Sequence, residues 1–215
     1  MSFSNLTVIT GGARSGKSAL AEKIALETGC EKVLYVATMP RVEGDDELDY
    51  RIERHRRRRP SNWGTLEAES CLPARLSQLP GVFDVCILDC LSLYISNILF
   101  VTTCSDNDRE GAIQSVNVSG QLSRTEIEVL ESRVEDAIDE LLSMIEKQKP
   151  RQFIVVTNEV GWSVVPENGM ARIYRDLLGF ANQKMARSAG DVFLCCSGLQ
   201  LALKTSNTLD AGTSP

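Results

Sequence analysis

The sequence has a single histidine, His55, and lacks the patterns that mark secreted, membrane-spanning or zinc-binding proteins. No stretch approaches the ~18 consecutive apolar residues of a transmembrane helix, and the N-terminus has no basic segment followed by an apolar signal core. The seven cysteines are odd in number and show no C-x-x-C or zinc-type spacing. We therefore expect a soluble, cytoplasmic protein without a membrane span, and with reduced thiols.

Basic residues are outnumbered by acidic ones, 23 to 29, which gives a formal net charge of -6. This acidic balance argues against a general affinity for nucleic acid, so we expect no nucleic-acid partner. Residues 51–60, RIERHRRRRP, nevertheless hold six arginines together with His55. A nuclear-localisation or nucleic-acid patch explains such a segment poorly in an acidic chain. The cluster needs a local explanation.

Short β-rich apolar segments recur along the chain, mostly with helical patterns between them. They are LTVIT at 6–10, VLYVA at 33–37, VCIL at 85–88, FIVVT at 153–157 and VFLCC at 192–196. Strands separated by helices predict right-handed crossovers and an α/β fold with a mostly parallel sheet flanked by helices. A length of 215 residues fits one domain, which we place at 1–204. Within it, the polar segment 101–124 is predicted to be a loop insertion, and 205–215 a flexible tail.

Three helices are predicted between these strands. The first follows Gly16. The second begins at Thr125, where Thr125 and Glu128 match a capping box, and the third covers about 167–188. Residues predicted to face inward are Leu20, Ile24 and Ala25 in the first helix and Ile127, Leu130, Val134, Ile138, Leu141 and Ile145 in the second.

The segment GGARSGKS directly follows the first predicted strand and matches the phosphate-loop pattern G-x-x-x-x-G-K-[ST]. Glycines let backbone N–H groups converge on phosphate oxygens, and the helix that follows presents its positive end. An ordinary glycine turn is the alternative, but the lysine, the serine and the flanking elements favour a phosphate loop. The predicted nucleotide-binding residues of this loop are Gly11, Gly12, Ala13, Arg14, Ser15, Gly16, Lys17 and Ser18.

Two residues are predicted to hold Mg²⁺, Ser18 of the phosphate loop and Asp89. Asp89 ends the apolar run VCILD, which would deliver a carboxylate to the carboxyl edge of the sheet, at the Walker B position. Many buried strands end in aspartate only to cap a loop. The phosphate loop elsewhere in the chain favours the metal-binding interpretation.

A guanine-nucleotide switch is an alternative to an enzyme. Such switches recognise guanine with N-K-x-D, and the nearest candidate, TNEVG at 157–161, lacks both the lysine and the aspartate. The sequences DREG and DLLG fit D-x-x-G, but neither follows a predicted strand. The switch interpretation is therefore disfavoured.

His55 admits two interpretations. The chain before it is acid-rich and then base-rich, as in a helix that complements its own dipole, so His55 could be a solvated residue near a helix end. Alternatively, the surrounding arginines favour the neutral imidazole, which is the nucleophilic form. The same arginines would attract phosphates and stabilise negative charge developing at phosphorus.

Taken together, these segments resemble the bifunctional adenosylcobinamide kinase/adenosylcobinamide-phosphate guanylyltransferases of cobalamin biosynthesis. The resemblance spans most of the chain in the family's order and departs at 101–124, where this chain is longer. The matching segments are TGGARSGKSALAE at 10–22, VLYVAT at 33–38, DDELDYRIERHRRRRPSNWGTLE at 45–67, ILDCLSLYISNILF at 87–100 and VTNEVGWSVVPENGMARIYRDLLGFANQKMA at 156–186.

The resemblance implies a P-loop NTPase-like fold assembled as a homotrimer, with a corrinoid and a nucleotide as substrates. It also implies two reactions. In the first, adenosylcobinamide is phosphorylated with ATP or GTP. In the second, GMP passes from GTP to that phosphate through a guanylyl-histidine, which maps to His55. Lys17 is the second predicted catalytic residue, because the lysine of a phosphate loop can reach the β- and γ-phosphates. The implied nucleotide contacts beyond the phosphate loop are Ala37, Thr38, Met39, Arg56, Arg57, Arg58, Arg59, Glu67 and Asp89.

Two further hypotheses stay open at this point. A P-loop small-molecule kinase without the guanylyltransferase step would form no covalent guanylyl adduct. A nucleotide-gated regulator would bind nucleotide tightly without turnover on any cobinamide.

Overall fold

The computed structural model describes residues 3–39, 44, 46–57, 59–68, 71–79, 83–100 and 122–206, without the side chains of 47–49, 51, 54, 55 and 100. Most of the predicted insertion at 101–124 and of the predicted tail at 205–215 therefore lies outside the described residues.

Seven strands form a single sheet in the order β3-β2-β4-β5-β1-β6-β7. Neighbouring strands are parallel except for β6 and β7, which are antiparallel. The predicted mostly parallel sheet is thus confirmed, and all five predicted strands are present. The strands are β1 (Phe3–Gly11), β2 (Val33–Ala37), β3 (Gly64–Glu67), β4 (Val85–Asp89), β5 (Gln152–Val156), β6 (Ala189–Cys196) and β7 (Leu199–Lys204).

Six helices are found among the described residues. They are α1 (Lys17–Glu27), α2 (Asp46–Arg57), α3 (Leu72–Ser77), α4 (Leu91–Phe100), α5 (Arg124–Gln148) and α6 (Gly169–Ser188). The three predicted helices correspond to α1, α5 and α6, and the predicted capping box is wrong by two residues. Ser123 is the N-cap of α5: its hydroxyl accepts from the Glu126 N–H, and the Glu126 carboxylate accepts from the Ser123 N–H.

Helices cover both faces of the sheet, as the alternation of side chains along β1 requires. Val8 points into a core shared with α5 and α6, whereas Ile9 points into a second core shared with α1 and Trp63. The helical spacing noted in the sequence places α5 correctly, because its buried residues include five of the six predicted ones. The buried residues of α5 are Leu130, Val134, Ile138, Leu141, Met144 and Ile145. In α1, Leu20 and Ala25 are buried, and Ile24 is partly buried against the same core.

The carboxyl ends of four neighbouring strands lie at one edge of the sheet. Ala37 of β2 is in register with Asp89 of β4, Asp89 with Val156 of β5, and Val156 with Ile9 of β1. Because parallel strands share their direction, the loops that leave these ends meet, and a ligand site is expected there.

The cysteines depart from the sequence-based expectation at one position. Cys71 is disulfide-bonded, so the expectation that all thiols are reduced is wrong for this residue. The free thiols among the described residues are Cys30, Cys86, Cys90, Cys195 and Cys196. In the described part of the chain, no helix combines the length and hydrophobicity needed to cross a membrane.

Candidate functional site

The loop from Gly11 to Ser18 joins β1 to α1 at the carboxyl edge of the sheet. Three of its residues have positive φ, namely Gly11 (147°), Arg14 (56°) and Gly16 (102°). A Cβ atom at Gly11 would lie 2.2 Å from the carbonyl oxygen of Cys195 on β6. Glycine is therefore required at Gly11 both by backbone conformation and by the close approach of the neighbouring strand.

Two backbone hydrogen bonds hold this loop from outside. The Glu159 N–H, which follows β5, donates to the Gly11 carbonyl at 3.0 Å, and the Gly198 N–H, between β6 and β7, donates to the Ser15 carbonyl at 3.0 Å. The Ser15 hydroxyl is buried and has no hydrogen-bond partner among the described residues. These hydrogen bonds preorganise the loop, so its backbone N–H groups would not need to be ordered when a phosphate binds.

Lys17, the first residue of α1, is only 7% exposed. Its Nζ donates to the Gly12 carbonyl at 2.6 Å, so the ammonium group lies over the loop. Burial lowers the pKa of Lys17, although the nearby Cys90, Asp89 and Cys195 oppose that shift. A bound phosphate would supply negative charge to this partly desolvated cation.

Asp89 lies across the sheet edge from the loop, at the end of β4. Its Oδ2 accepts a hydrogen bond from the hydroxyl of Tyr35, a residue of β2 that is 1% exposed. Burial, with Asp89 as a second cause, raises the pKa of Tyr35, so the phenol stays neutral and remains a donor. One oxygen of the Asp89 carboxylate is therefore occupied by a permanent partner.

The donor atoms at this edge suit a hard cation. Ser18 supplies a hydroxyl and Asp89 a carboxylate, and the described residues contain no cluster of three or more histidine, cysteine, aspartate or glutamate side chains able to enclose a metal. Mg²⁺ is commonly bound by only one or two protein oxygens, and water and phosphate fill the remaining coordination positions. The residues fit Mg²⁺ held together with a nucleotide.

A pocket of about 110 Å³ opens beside Asp89, between β2, β3, β4 and the end of α2. Six residues predicted from the sequence line it, and five others complete the wall. The predicted ones are Ala37, Met39, Arg56, Arg59, Glu67 and Asp89, and the others are Tyr35, Ile52, Thr65, Cys90 and Leu93. The pocket therefore combines apolar walls with two guanidinium groups and two carboxylates, a mixture typical of small-molecule sites.

The arginine cluster divides between this pocket and solvent. Arg56 and Arg59 line the pocket, whereas Arg57 forms an exposed i,i+4 ion pair with Glu53 at 2.9 Å. Arg58 lies outside the described residues. His55 lies within α2, one residue before Arg56, and its side chain is among those that the structure does not describe.

Thr38 follows β2 but does not line the pocket. Its hydroxyl donates to the Cys90 carbonyl at 2.8 Å and accepts from the Cys90 N–H at 2.9 Å, and its carbonyl accepts from the Asn97 side chain at 2.9 Å. These bonds fasten the end of β2 to the end of β4. The predicted nucleotide contact of Thr38 stays a prediction.

The segment after β5 forms a polar network beside the phosphate loop. The Thr157 hydroxyl donates to Asn182, the Asn182 amide donates to the Asn158 carbonyl, and the Asn158 amide donates to the Ser92 hydroxyl. Further along this segment Trp162 is 75% exposed, so the apolar stretch it begins is not part of the monomer's core.

Sequence reasoning missed Tyr35 as a site residue. The guanidinium carbon of Arg59 lies 3.3 Å from the centre of the Tyr35 ring, and the Tyr35 hydroxyl contacts Asp89. A signal was present, because Tyr35 lies two residues before Ala37 and so faces the same side of β2. A tyrosine in an apolar strand is also typical of an ordinary core.

Comparison with known proteins identifies relatives of this chain. Residues 7–203 match the family described as cobinamide kinase / cobinamide phosphate guanyltransferase. The chain is 34% identical over 199 residues to the bifunctional adenosylcobalamin biosynthesis protein CobU of Salmonella typhimurium, covering 93% of this chain and 99% of that protein. It is 35% identical over 197 residues to the bifunctional adenosylcobalamin biosynthesis protein CobP of Pseudomonas aeruginosa, covering 92% and 96%.

Among solved structures, it is similar to the flagellar accessory protein FlaH from Methanocaldococcus jannaschii, with a TM-score of 0.48 and 17% identity over 95% of this chain and 80% of that one. The matched family accounts for nearly the whole chain, from β1 to β7. The chain therefore belongs to the cobinamide kinase / cobinamide phosphate guanyltransferase family.

Proposed function

We propose that this protein phosphorylates adenosylcobinamide with ATP or GTP and then transfers GMP from GTP to adenosylcobinamide phosphate. One observation carries the proposal: Asp89, Glu67, Arg56 and Arg59 line one pocket at the end of α2, the helix that contains His55. A nucleotide bound between this pocket and the phosphate loop would have its phosphates close to the residues proposed for both reactions.

In the kinase step, the hydroxyl oxygen of the corrinoid's side chain forms a bond to the γ-phosphorus and loses its proton to water. The bond between the γ-phosphorus and the bridging oxygen breaks, and the nucleoside diphosphate leaves. Phosphoryl transfer of this kind depends on positioning and charge more than on a protein nucleophile. Lys17 is suited to position the phosphates and to compensate their charge, because its buried ammonium group lies directly over the loop. The phosphate loop, Gly11 to Ser18, would hold the phosphates through its backbone N–H groups.

In the transferase step, a nitrogen of His55 forms a bond to the α-phosphorus of GTP, and pyrophosphate leaves with the electrons of the broken P–O bond. A phosphate oxygen of the corrinoid then displaces the histidine and yields adenosyl-GDP-cobinamide. Arg56 and Arg59 line the pocket beside α2 and would stabilise the charge that builds up at phosphorus. Arg57 and Arg58 are proposed to contribute to nucleotide binding on the basis of the family resemblance.

Ser18 and Asp89 would hold Mg²⁺, which when bound neutralises phosphate charge. Asp89 has one carboxylate oxygen bonded to Tyr35, and the other is left for the cation or for its water. Ala37, Met39 and Glu67 would contact the nucleotide from the pocket wall. We also propose that the enzyme is a homotrimer, which light scattering of the purified protein would test.

The test is turnover of adenosylcobinamide with GTP labelled either in the α- or in the γ-phosphate. The proposal predicts γ-label in a cobinamide phosphate first, and α-label in a guanylylated corrinoid later. Transfer of γ-label alone would establish a kinase without the second step. Nucleotide binding with neither label transferred would identify a regulator and contradict the proposal.

A further inference from the structure

Tyr35 contacts two groups of the site from opposite sides. Its hydroxyl donates to Asp89 Oδ2, and Arg59 stacks on its ring with the guanidinium carbon 3.3 Å from the ring centre. Arg59 Nε is buried and has no hydrogen-bond partner among the described residues, and the Tyr35 ring contacts the face of the guanidinium.

We propose that Tyr35 is a positioning residue, which orients the Asp89 carboxylate through its hydroxyl and the Arg59 guanidinium through its ring. The proposal rests on the proposed function in two respects, the assignment of Asp89 to the Mg²⁺ site and the covalent labelling of the protein by GTP.

The hydroxyl matters because a carboxylate can rotate about its Cβ–Cγ bond. A hydrogen bond from Tyr35 to one oxygen fixes the plane of the Asp89 carboxylate and directs the other oxygen outward. Partners of this kind orient metal ligands, and removing them typically costs ~10–100-fold in metal affinity or activity. Since Tyr35 is buried, water cannot easily take over its hydrogen bond.

The ring matters because Arg59 follows α2, the helix that contains His55. A cation over an aromatic face is held by the ring quadrupole, and the interaction strengthens when the pair is desolvated. The Arg59 backbone is also tied to α2, since its N–H donates to the Arg56 carbonyl at 3.2 Å. Tyr35 therefore joins the end of the histidine helix to the strand that carries the acid.

Two substitutions separate these contacts. Tyr35→Phe removes the hydroxyl and keeps the ring, whereas Tyr35→Leu removes both. Tyr94→Phe is the matched control, because Tyr94 is also a buried phenol at 3% exposure but lies in the core on the other face of the sheet.

The first measurement is the affinity for GDP by calorimetry, with Mg²⁺ and with EDTA, which needs no turnover. The ratio of the two affinities reports the metal-dependent part of binding. Tyr35→Phe should lower this ratio by about tenfold with the EDTA value unchanged, the lower end of the range for such partners. Tyr94→Phe should change neither value.

The second measurement is covalent labelling by α-labelled GTP without a corrinoid. Tyr35→Leu should label more slowly than Tyr35→Phe, because only Tyr35→Leu loses the aromatic ring on which Arg59 stacks. Arg59→Met removes the cation and leaves the buried phenol in place. Arg59→Met should slow labelling about as much as Tyr35→Leu does, and it provides the measurement if Tyr35→Leu folds poorly.

A double-mutant cycle separates positioning from general damage. If Tyr35 acts through Asp89, then Tyr35→Phe adds no further loss to Asp89→Asn in the Mg²⁺-dependent ratio. Additive losses, or an equal loss of affinity in EDTA, would overturn the inference. If Asp89→Asn leaves the ratio unchanged, the metal assignment of Asp89 and the inference fail together. If Asp89→Asn lowers it and Tyr35→Phe does not, only the inference fails.

Discussion

The shape of the phosphate loop can be tested with one added methyl group at Gly11. The φ of Gly11 is 147°, and a Cβ there would lie 2.2 Å from the Cys195 carbonyl oxygen and 2.9 Å from the Ser15 hydroxyl oxygen. Contacts this short are not tolerated, so Gly11→Ala must move either the loop or β6 by about 1 Å to restore ordinary separations near those of close packing.

Two costs contribute to the expected loss of stability. A non-glycine residue in a sparsely populated backbone conformation costs about 1–3 kcal/mol. Overpacking against a rigid strand adds about 1–3 kcal/mol. A net loss near the middle of the combined range, about 4 kcal/mol, would lower the melting temperature by roughly 8–16 °C for a domain of this size.

The assay is thermal unfolding of Gly11→Ala beside Gly12→Ala, without nucleotide. Gly12 has no positive φ, and a Cβ there would meet nothing within 4 Å, so its free energy of unfolding should change by less than about 0.5 kcal/mol. Equal losses for the two variants would refute the reasoning, as would wild-type melting of Gly11→Ala.

Two further predictions follow from the cap of α5 and from Lys17. Ser123→Ala should lower the free energy of unfolding by about 1 kcal/mol, whereas Thr125→Ala should change it by less than about 0.5 kcal/mol, since Ser123 is the N-cap; denaturant titration with the opposite ranking would contradict the assignment. Burial lowers the pKa of Lys17 in the free protein, and the negative charge of a bound phosphate raises it again. At alkaline pH, between these two pKa values, nucleotide binding should therefore take up protons, and the affinity for nucleotide should fall as the pH rises. Calorimetry in buffers of different ionisation enthalpy measures the uptake, and Lys17→Ala, which lacks the titrating group, should show none.

Most of the sheet could be predicted because its central strands are short, apolar and separated by helices. The two edge strands were missed for different reasons. β3 is four residues long and mostly exposed, so it lacks an apolar signal. β7 follows β6 across the two residues Ser197 and Gly198, and this spacing with alternating leucines is typical of a hairpin. The hairpin could therefore have been found.

The cap of α5 shows a limit of pattern matching. Both Ser123 and Thr125 are followed by glutamate three residues later, so each satisfies the capping-box pattern. Local sequence does not separate them, and the choice depends on where the chain enters the helix. The contacts of Tyr35 are similarly non-local, since Asp89 and Arg59 lie 54 and 24 residues away in the chain.

The central claim is that His55 carries GMP during the transferase step. The direct measurement is incubation of the protein with α-labelled GTP and Mg²⁺ in the absence of corrinoid, followed by peptide mapping of the trapped adduct. The account predicts one acid-labile, base-stable guanylyl group on the peptide that contains His55, and no adduct in His55→Ala although that variant still phosphorylates adenosylcobinamide. An acid-labile guanylyl group on any other peptide, or undiminished labelling of His55→Ala, would contradict it.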